Sequence, residues 1–224
     1  KAGRKKMPPE LAMQLPLLKE ALSAMQISML EIDGFEADDI IGTVAKNAEQ
    51  EGLDTLIITG DKDELQLASD HTRVLITKKG ISEFELYDRA AMEEKYGLTP
   101  DQFVDLKGLM GDSSDNIPGI PGIGEKTALK LLQEFGSVSE LIRRSDEISN
   151  AKLKEKVQEY AQQALMSRRL AEIHTQVPLT YALEECKVVE PDYPRLIDFY
   201  HKMEFNSLLG KLKDVKKDVE GNKD

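Results

Sequence analysis

Apolar residues fall at helical spacing at Leu11, Leu15, Leu18 and Leu22, which predicts a helix over MPPELAMQLPLLKEALSAMQ starting near Pro8 and Pro9. Pro16 lies inside that run, where a proline removes a backbone donor and kinks a helix. ISMLEI reads as a short strand. FEADDIIGTVAKNAEQEG reads as a helix with Ile40, Ile41, Val44 and Ala48 inward and Gly52 as its stop. LDTLIITG is a continuous apolar run of the kind buried in a parallel sheet. DELQLAS predicts a brief helix, RVLIT a strand, and ISEFELYD an edge hairpin followed by a helix over Asp88–Tyr96.

This alternation of strand and helix implies an α/β layer architecture with right-handed crossovers. From Thr99 the pattern changes. TPDQFVDLKGLMG predicts a capped helix, and the rest alternates short helices with Gly-, Pro- and Asp-rich turns. YALEECKVV is the one later stretch with strand character. The expected organisation is an α/β part over residues 1–98, a helical part over 99–212 packed on it, and a charged, frayed tail over 213–224.

Composition narrows the class. The 224 residues are 40% hydrophobic, enough for a sizeable core, and no run of eighteen apolar residues spans a membrane. No secretory signal opens the chain and the single Cys186 cannot form an internal disulfide, so a cytoplasmic setting is expected. The net charge of −11 argues against a nucleic-acid partner only if the acids are spread evenly. Bound cations invert the local field where acids cluster. Basic residues also gather, in KAGRKK, at Lys126 and Lys130, at Arg143 and Arg144, and at Arg168 and Arg169.

Three acidic groups stand out. Glu36, Asp38 and Asp39 open a helix in FEADD, where acids also serve as caps and complement the helix dipole. Asp61 and Asp63 follow a strand in ITGDKDE, at the end of a strand where ligands collect in parallel sheets. Asp112 and Asp115 occupy the loop MGDSSDN, and a capping loop is the alternative there. Each group alone is open to both readings. Together, seven acids at the ends of elements are what a site for two hard cations requires. Oxygen ligands without neighbouring His or Cys favour Mg²⁺ or Mn²⁺, and His71, His174 and His201 lie outside these motifs.

NIPGIPGIGEKTALKLLQEFG carries the second signal. Gly119, Gly122 and Gly124 make a tight turn, after which a helix presents Ala128, Leu131, Leu132 and Phe135 inward and closes at Gly136. Hairpin amides and the following helix N-terminus suit a DNA phosphate, held without reading its sequence. Lys126 and Lys130 share one helical face and add charge.

With E-A-D-D, T-G-D-K-D, G-D-S-S-D-N and G-I-G-E-K-T-A in that order, the chain resembles the 5′-nuclease domains of bacterial DNA polymerases I, within the wider flap endonuclease family. The resemblance runs from Lys1 to about Leu212. It implies a PIN-like, Rossmann-like and mainly parallel sheet flanked by helices, then a helix-hairpin-helix module. It makes residues 1–27 the remnant of an arch over the active site. Glu36, Asp38, Asp39, Asp61, Asp63, Asp112 and Asp115 match the acids around the metal pair. Lys1 and Arg4 match basic residues that steer the scissile phosphate. Gly119, Gly122, Ile123, Gly124, Lys126, Thr127 and Lys130 match the DNA-gripping hairpin, where a monovalent cation is also expected.

The implied activity is two-metal hydrolysis of DNA phosphodiesters near 5′-flap junctions, in primer removal and excision repair. Partners implied are flapped, nicked or branched DNA and a covalently C-terminal polymerase domain, on a monomer near the nucleoid. The family also places two metal-binding aspartates on strands ahead of Lys1, so the chain reads as a fragment. Two other readings remain open: a fragment that binds branched DNA without cutting it, and a PIN-like ribonuclease.

Overall fold

The computed structural model describes residues 7–78 and 82–212. The basic opening with Lys1 and Arg4, and the tail from 213, lie outside the described residues. The described residues divide into two compact units, the larger drawn from residues 32–179 and the smaller from residues 7–31 and 180–212.

The smaller unit begins with α1 (Pro9–Ala12) and α2 (Leu15–Ala24). The single helix expected there is two, because Pro16 takes the first turn of α2, where its missing N–H costs nothing. ISMLEI is not a strand. It lies outside the sheet, with Ile27 46% and Met29 43% exposed and Ser28 Oγ donating to the Glu185 carbonyl at 3.1 Å. An apolar run without a ladder to join does not become a strand.

In the larger unit α3 (Ala37–Gln50) leads into β1 (Thr55–Thr59), a 3₁₀ turn (Lys62–Leu67) and β2 (Thr72–Thr77). β3 (Phe84–Tyr87) follows, then α4 (Arg89–Tyr96). β1 pairs parallel with β2, Ile57 opposite Val74, and β3 pairs antiparallel with β2, Val74 opposite Tyr87. The described sheet is therefore small and mixed.

Its inner face buries Ile57, Val74, Ile76 and Tyr87 in the main core. LDTLIITG is not buried on both faces as its composition suggests, since Leu56 and Ile58 are exposed. Strand alternation sends them to the outer face, where Leu86 also stands. In α3 the inner residues are Ile40, Thr43, Ala45 and Ala48, while Ile41 and Val44 sit at the margin. Thr43 replaces Val44 inside because its hydroxyl is used twice, donating to the Asp39 carbonyl at 2.8 Å and accepting the Val177 amide at 3.0 Å.

The helical part starts with α5 (Pro100–Met110), capped by Thr99 and Gln102 in a reciprocal box. Then come α6 (Glu125–Phe135), α7 (Val138–Arg143), α8 (Ala151–Glu159) and α9 (Ala161–Ala171). The inward residues foreseen for α6 are all buried, and Gly136 ends it at φ +85°. α5 packs along α9, and Asp105 on α5 accepts from Arg168 Nε at 3.1 Å and from the Val138 amide at 3.0 Å.

α10 (Tyr193–Lys202) returns to the smaller unit and packs on α2. YALEECKVV forms a 3₁₀ turn (Leu183–Cys186) between irregular segments, and no strand.

Candidate metal centre and nucleic-acid interface

Helix-start chemistry fixes the first acidic group. Glu36 is the N-cap of α3, and the Asp39 carboxylate reaches back to its amide at 3.2 Å. The other Asp39 oxygen accepts the His174 amide at 2.8 Å. Asp38 accepts only the neighbouring Asp39 amide among its recorded bonds, at 2.9 Å. Capping and ligand-site readings of this motif are thus not exclusive: the same bonds that start the helix aim its carboxylates.

Asp61 caps the 3₁₀ turn after β1 and accepts the Asp63 amide at 2.9 Å. Asp63 is mostly buried and pairs with Lys107 Nζ at 2.7 Å. The same ammonium pairs with Asp112, whose other oxygen takes the Ser114 amide at 2.8 Å. An antiparallel bridge between Asp112 and Ile117 closes the loop.

Burial works against the Asp112 charge, but hydrogen bonds from Lys107 and Ser114 outweigh it and hold the carboxyl at about 2. Burial pushes Asp63 up, with the like charges of Asp61 and Asp112 assisting against the pull of Lys107. For Lys107 burial also opposes the charge, and its bonds to Asp112 and Asp63 win, raising it. The ammonium stays charged between two acids.

Glu36, Asp38, Asp39, Asp63 and Asp115 line one cavity of about 310 Å³, with Asn116 and His174. Asp112 adjoins it through Lys107, and Asp61 adjoins it through the Asp63 amide. Among the described residues, no three His, Cys, Asp or Glu side chains close on one point. The acids border a space rather than meeting in it. That donor set is all carboxylate oxygen, which fits hard divalent cations.

Sequence reasoning missed three neighbours. Lys107 sits in VDLKGLMGD with no motif to mark it. Glu64 follows Asp63 directly and is buried, at 4% exposure. His174 stacks on Phe35 with centroids 5.9 Å apart at the cavity border.

The hairpin is built on close backbone approach. Gly119 has φ +59°, and a Cβ there would lie 2.2 Å from the Gly111 nitrogen. Its amide donates to buried Ser167 Oγ at 3.1 Å, and its carbonyl accepts from Gln163 at 2.6 Å. Gly122 has φ +79°. Ile120 and Ile123 are buried, and the Ile123 amide donates to the Ile120 carbonyl at 3.0 Å, so Ile123 anchors the turn from inside.

Gly124 caps α6 with no side-chain bond to the first-turn amides. The Thr127 amide is taken by the Gly124 carbonyl at 3.0 Å, while Lys126 and Lys130 are exposed one turn apart. Other basic groups are spent locally: Arg143 on Glu140, Arg144 on Glu147 and Lys154 on Asp146.

A small α/β layer with acids at its strand and helix ends, joined to a helical glycine hairpin, defines a nuclease-type architecture. The family described as 5′-3′ exonuclease matches in both its parts. The N-terminal resolvase-like domain covers residues 1–97 and the C-terminal SAM fold covers residues 98–194, so the chain belongs to this family. It is 51% identical to DNA polymerase I of Bacillus subtilis over 212 residues, 95% of this chain and 24% of that protein. It is 42% identical to the thermostable DNA polymerase I of Thermus thermophilus over 209 residues, 93% of this chain and 24% of that one.

The chain thus spans about a quarter of the length of these relatives. A bacteriophage T5 flap endonuclease, solved as a pseudo-enzyme-product complex with DNA and metal ions, matches at 25% identity. Its TM-score is 0.63, over 78% of this chain and 64% of that one. The catalytic core of Rad2 with DNA substrate shares the fold at 19% identity and TM-score 0.60, over 89% of this chain and 66% of that one. Among the described residues no helix is long and apolar enough to cross a membrane.

Proposed function

We propose that this chain is the metal-dependent part of a structure-specific 5′-nuclease that hydrolyses DNA phosphodiesters near 5′-flap junctions. The observation carrying this reading is the cavity that gathers Glu36, Asp38, Asp39, Asp63 and Asp115 within a member of the 5′-3′ exonuclease family. Mg²⁺ or Mn²⁺ bound there would supply Lewis-acid polarisation of the phosphate and activation of water.

The chain's own residues do the rest. The α3 cap holds Glu36 and Asp39 in fixed directions, and Lys107 bridges Asp63 and Asp112 through one ammonium. No side chain need act as a nucleophile. The hairpin amides with Lys126 and Lys130 grip the duplex backbone without reading bases. Lys1 and Arg4 are assigned to steering the scissile phosphate on the family pattern alone. The α/β part over 1–98 would thus cut and the helical part over 99–212 would hold. A monovalent cation at the hairpin has a rival there, because Lys156 Nζ already donates to the Pro121 carbonyl at 3.0 Å.

A second reading, binding of branched DNA without cleavage, is favoured by the absence among the described residues of a closed three-acid group. Cleavage of a labelled 5′-flap DNA by the chain, with Mg²⁺ or Mn²⁺ and with EDTA, separates the two when run beside binding in Ca²⁺. Metal-dependent cutting near the junction is the expected outcome. Binding without cutting selects the second reading, and no binding at all removes both. Parallel RNA flaps test the ribonuclease alternative.

A further inference from the structure

Glu64 lies on the 3₁₀ turn after Asp63 and is 4% exposed, yet it is a carboxylate. Its Oε2 has no hydrogen-bond partner, while Thr59 hydrogen-bonds the side chain through the other oxygen. The nearby charges that act on it most strongly are those of Asp61, Asp38 and Asp63, all of its own sign. Lys107, the ammonium that pairs with the neighbouring Asp63, is committed to Asp63 and Asp112.

A buried carboxylate oxygen with no donor, in reach of three acids, is costly to hold, and a bound cation would relieve that cost. Buried polar atoms are almost always partnered, and an orphan next to Asp63 points to a ligand. Its sequence neighbour Leu65 is fully buried, so Glu64 is carried into the interior by its turn, yet the groups acting on it are Thr59 and three acids.

We propose that Glu64 is a further carboxylate of the divalent-cation site, contributing its uncommitted Oε2 from the position next to Asp63. The inference rests on the cation-site reading above and adds a residue to it. Groups behind the immediate ligands of a metal set the direction and basicity of those ligands, and their loss costs about 10- to 100-fold in metal affinity. Glu64 acts on cation binding, not on DNA contact, since its side chain is closed off from solvent.

Mn²⁺ binding to the full 224-residue chain, read by calorimetry without DNA, tests this. Glu64→Gln keeps the shape, and Glu64→Leu removes both carboxylate oxygens. Asp146→Asn, at an exposed acid paired with Lys154, serves as control. Glu64→Gln and Glu64→Leu are expected to weaken Mn²⁺ binding by about 10-fold or more while melting no lower than the parent in EDTA. Asp146→Asn should leave affinity unchanged. Parent-like Mn²⁺ affinity in both Glu64 variants would overturn the assignment and make Glu64 a structural acid, leaving the flap-cleavage reading intact. If the parent chain itself binds no Mn²⁺, the cation site falls and Glu64 with it.

Discussion

The acidic cavity and the glycine hairpin sit in the same unit and are separated by one short loop, yet they prepare for charged partners in opposite ways. The cavity concentrates like charges in partly buried positions and holds them with a cap, a lysine and a few backbone amides. The hairpin carries little charge of its own inside. It is held by buried Ile120 and Ile123 and by glycines that let backbone segments touch. Its lysines stand in the open. If the first is a cation site, it must hold like charges together before the cation arrives, whereas a phosphate grip at the hairpin would be preformed. Substitutions should therefore separate the two regions, by activity in one and by stability or salt dependence in the other.

The largest separation is expected from Asp61→Asn. Cleavage of a 5′-flap DNA should fall by about 100-fold or more, while flap binding in Ca²⁺ stays within a few-fold. Unchanged turnover would remove Asp61 from the site. Gly119→Ala should cost about 3 kcal/mol in urea unfolding, because the new Cβ would meet backbone atoms of Met110 and Gly111 on a left-handed residue. Gly124→Ala has nothing within 4 Å of its Cβ and should change stability by about 0.5 kcal/mol at most. Equal losses at both would mean that close approach is not what Gly119 provides.

Lys107→Met should destabilise the metal-free chain by about 2 kcal/mol at neutral pH, because two partly buried acids lose their shared cation. The pH dependence has a definite sign. Asp112 is held at about 2 against an ordinary 3.8, so its ionisation stabilises the fold above 3.8, and that gain is lost as pH falls toward 2. Lys107 is raised above 10.5, so its contribution is full below that value and lost on going higher. The gap between parent and Lys107→Met in thermal melts should be widest between these limits and narrow in acid. The smallest effect belongs to Lys126→Ala. It should weaken all duplex sequences by a few-fold and lower the salt slope by about 1, measured by anisotropy at several salt concentrations. A loss confined to some sequences would contradict backbone gripping.

Much of this was legible in the chain because the signals are local. The α6 face, the Thr99 box and the Gly136 stop follow from spacings within one element, and each stands as expected. The acids were legible as a set because they sit at element ends. What spacing could not show was tertiary. Lys107 reaches Asp63 from another helix, and the burial of Glu64 depends on how its 3₁₀ turn packs. ISMLEI and the outer face of β1 misled for a related reason: apolar composition records a capacity for burial, and the partner decides whether it happens. Thr43 was passed over because a hydroxyl reads as polar until its two bonds are seen.

The contact between Gly111 and Gly119 has a consequence of its own. With the Asp112–Ile117 bridge, it pins the acidic loop and the hairpin to one backbone knot. Neither end can be lengthened or swung without breaking the other. If the proposed cation site and phosphate grip hold, the span between them is a fixed gauge, and the distance from held duplex to severed bond would be set by this backbone contact.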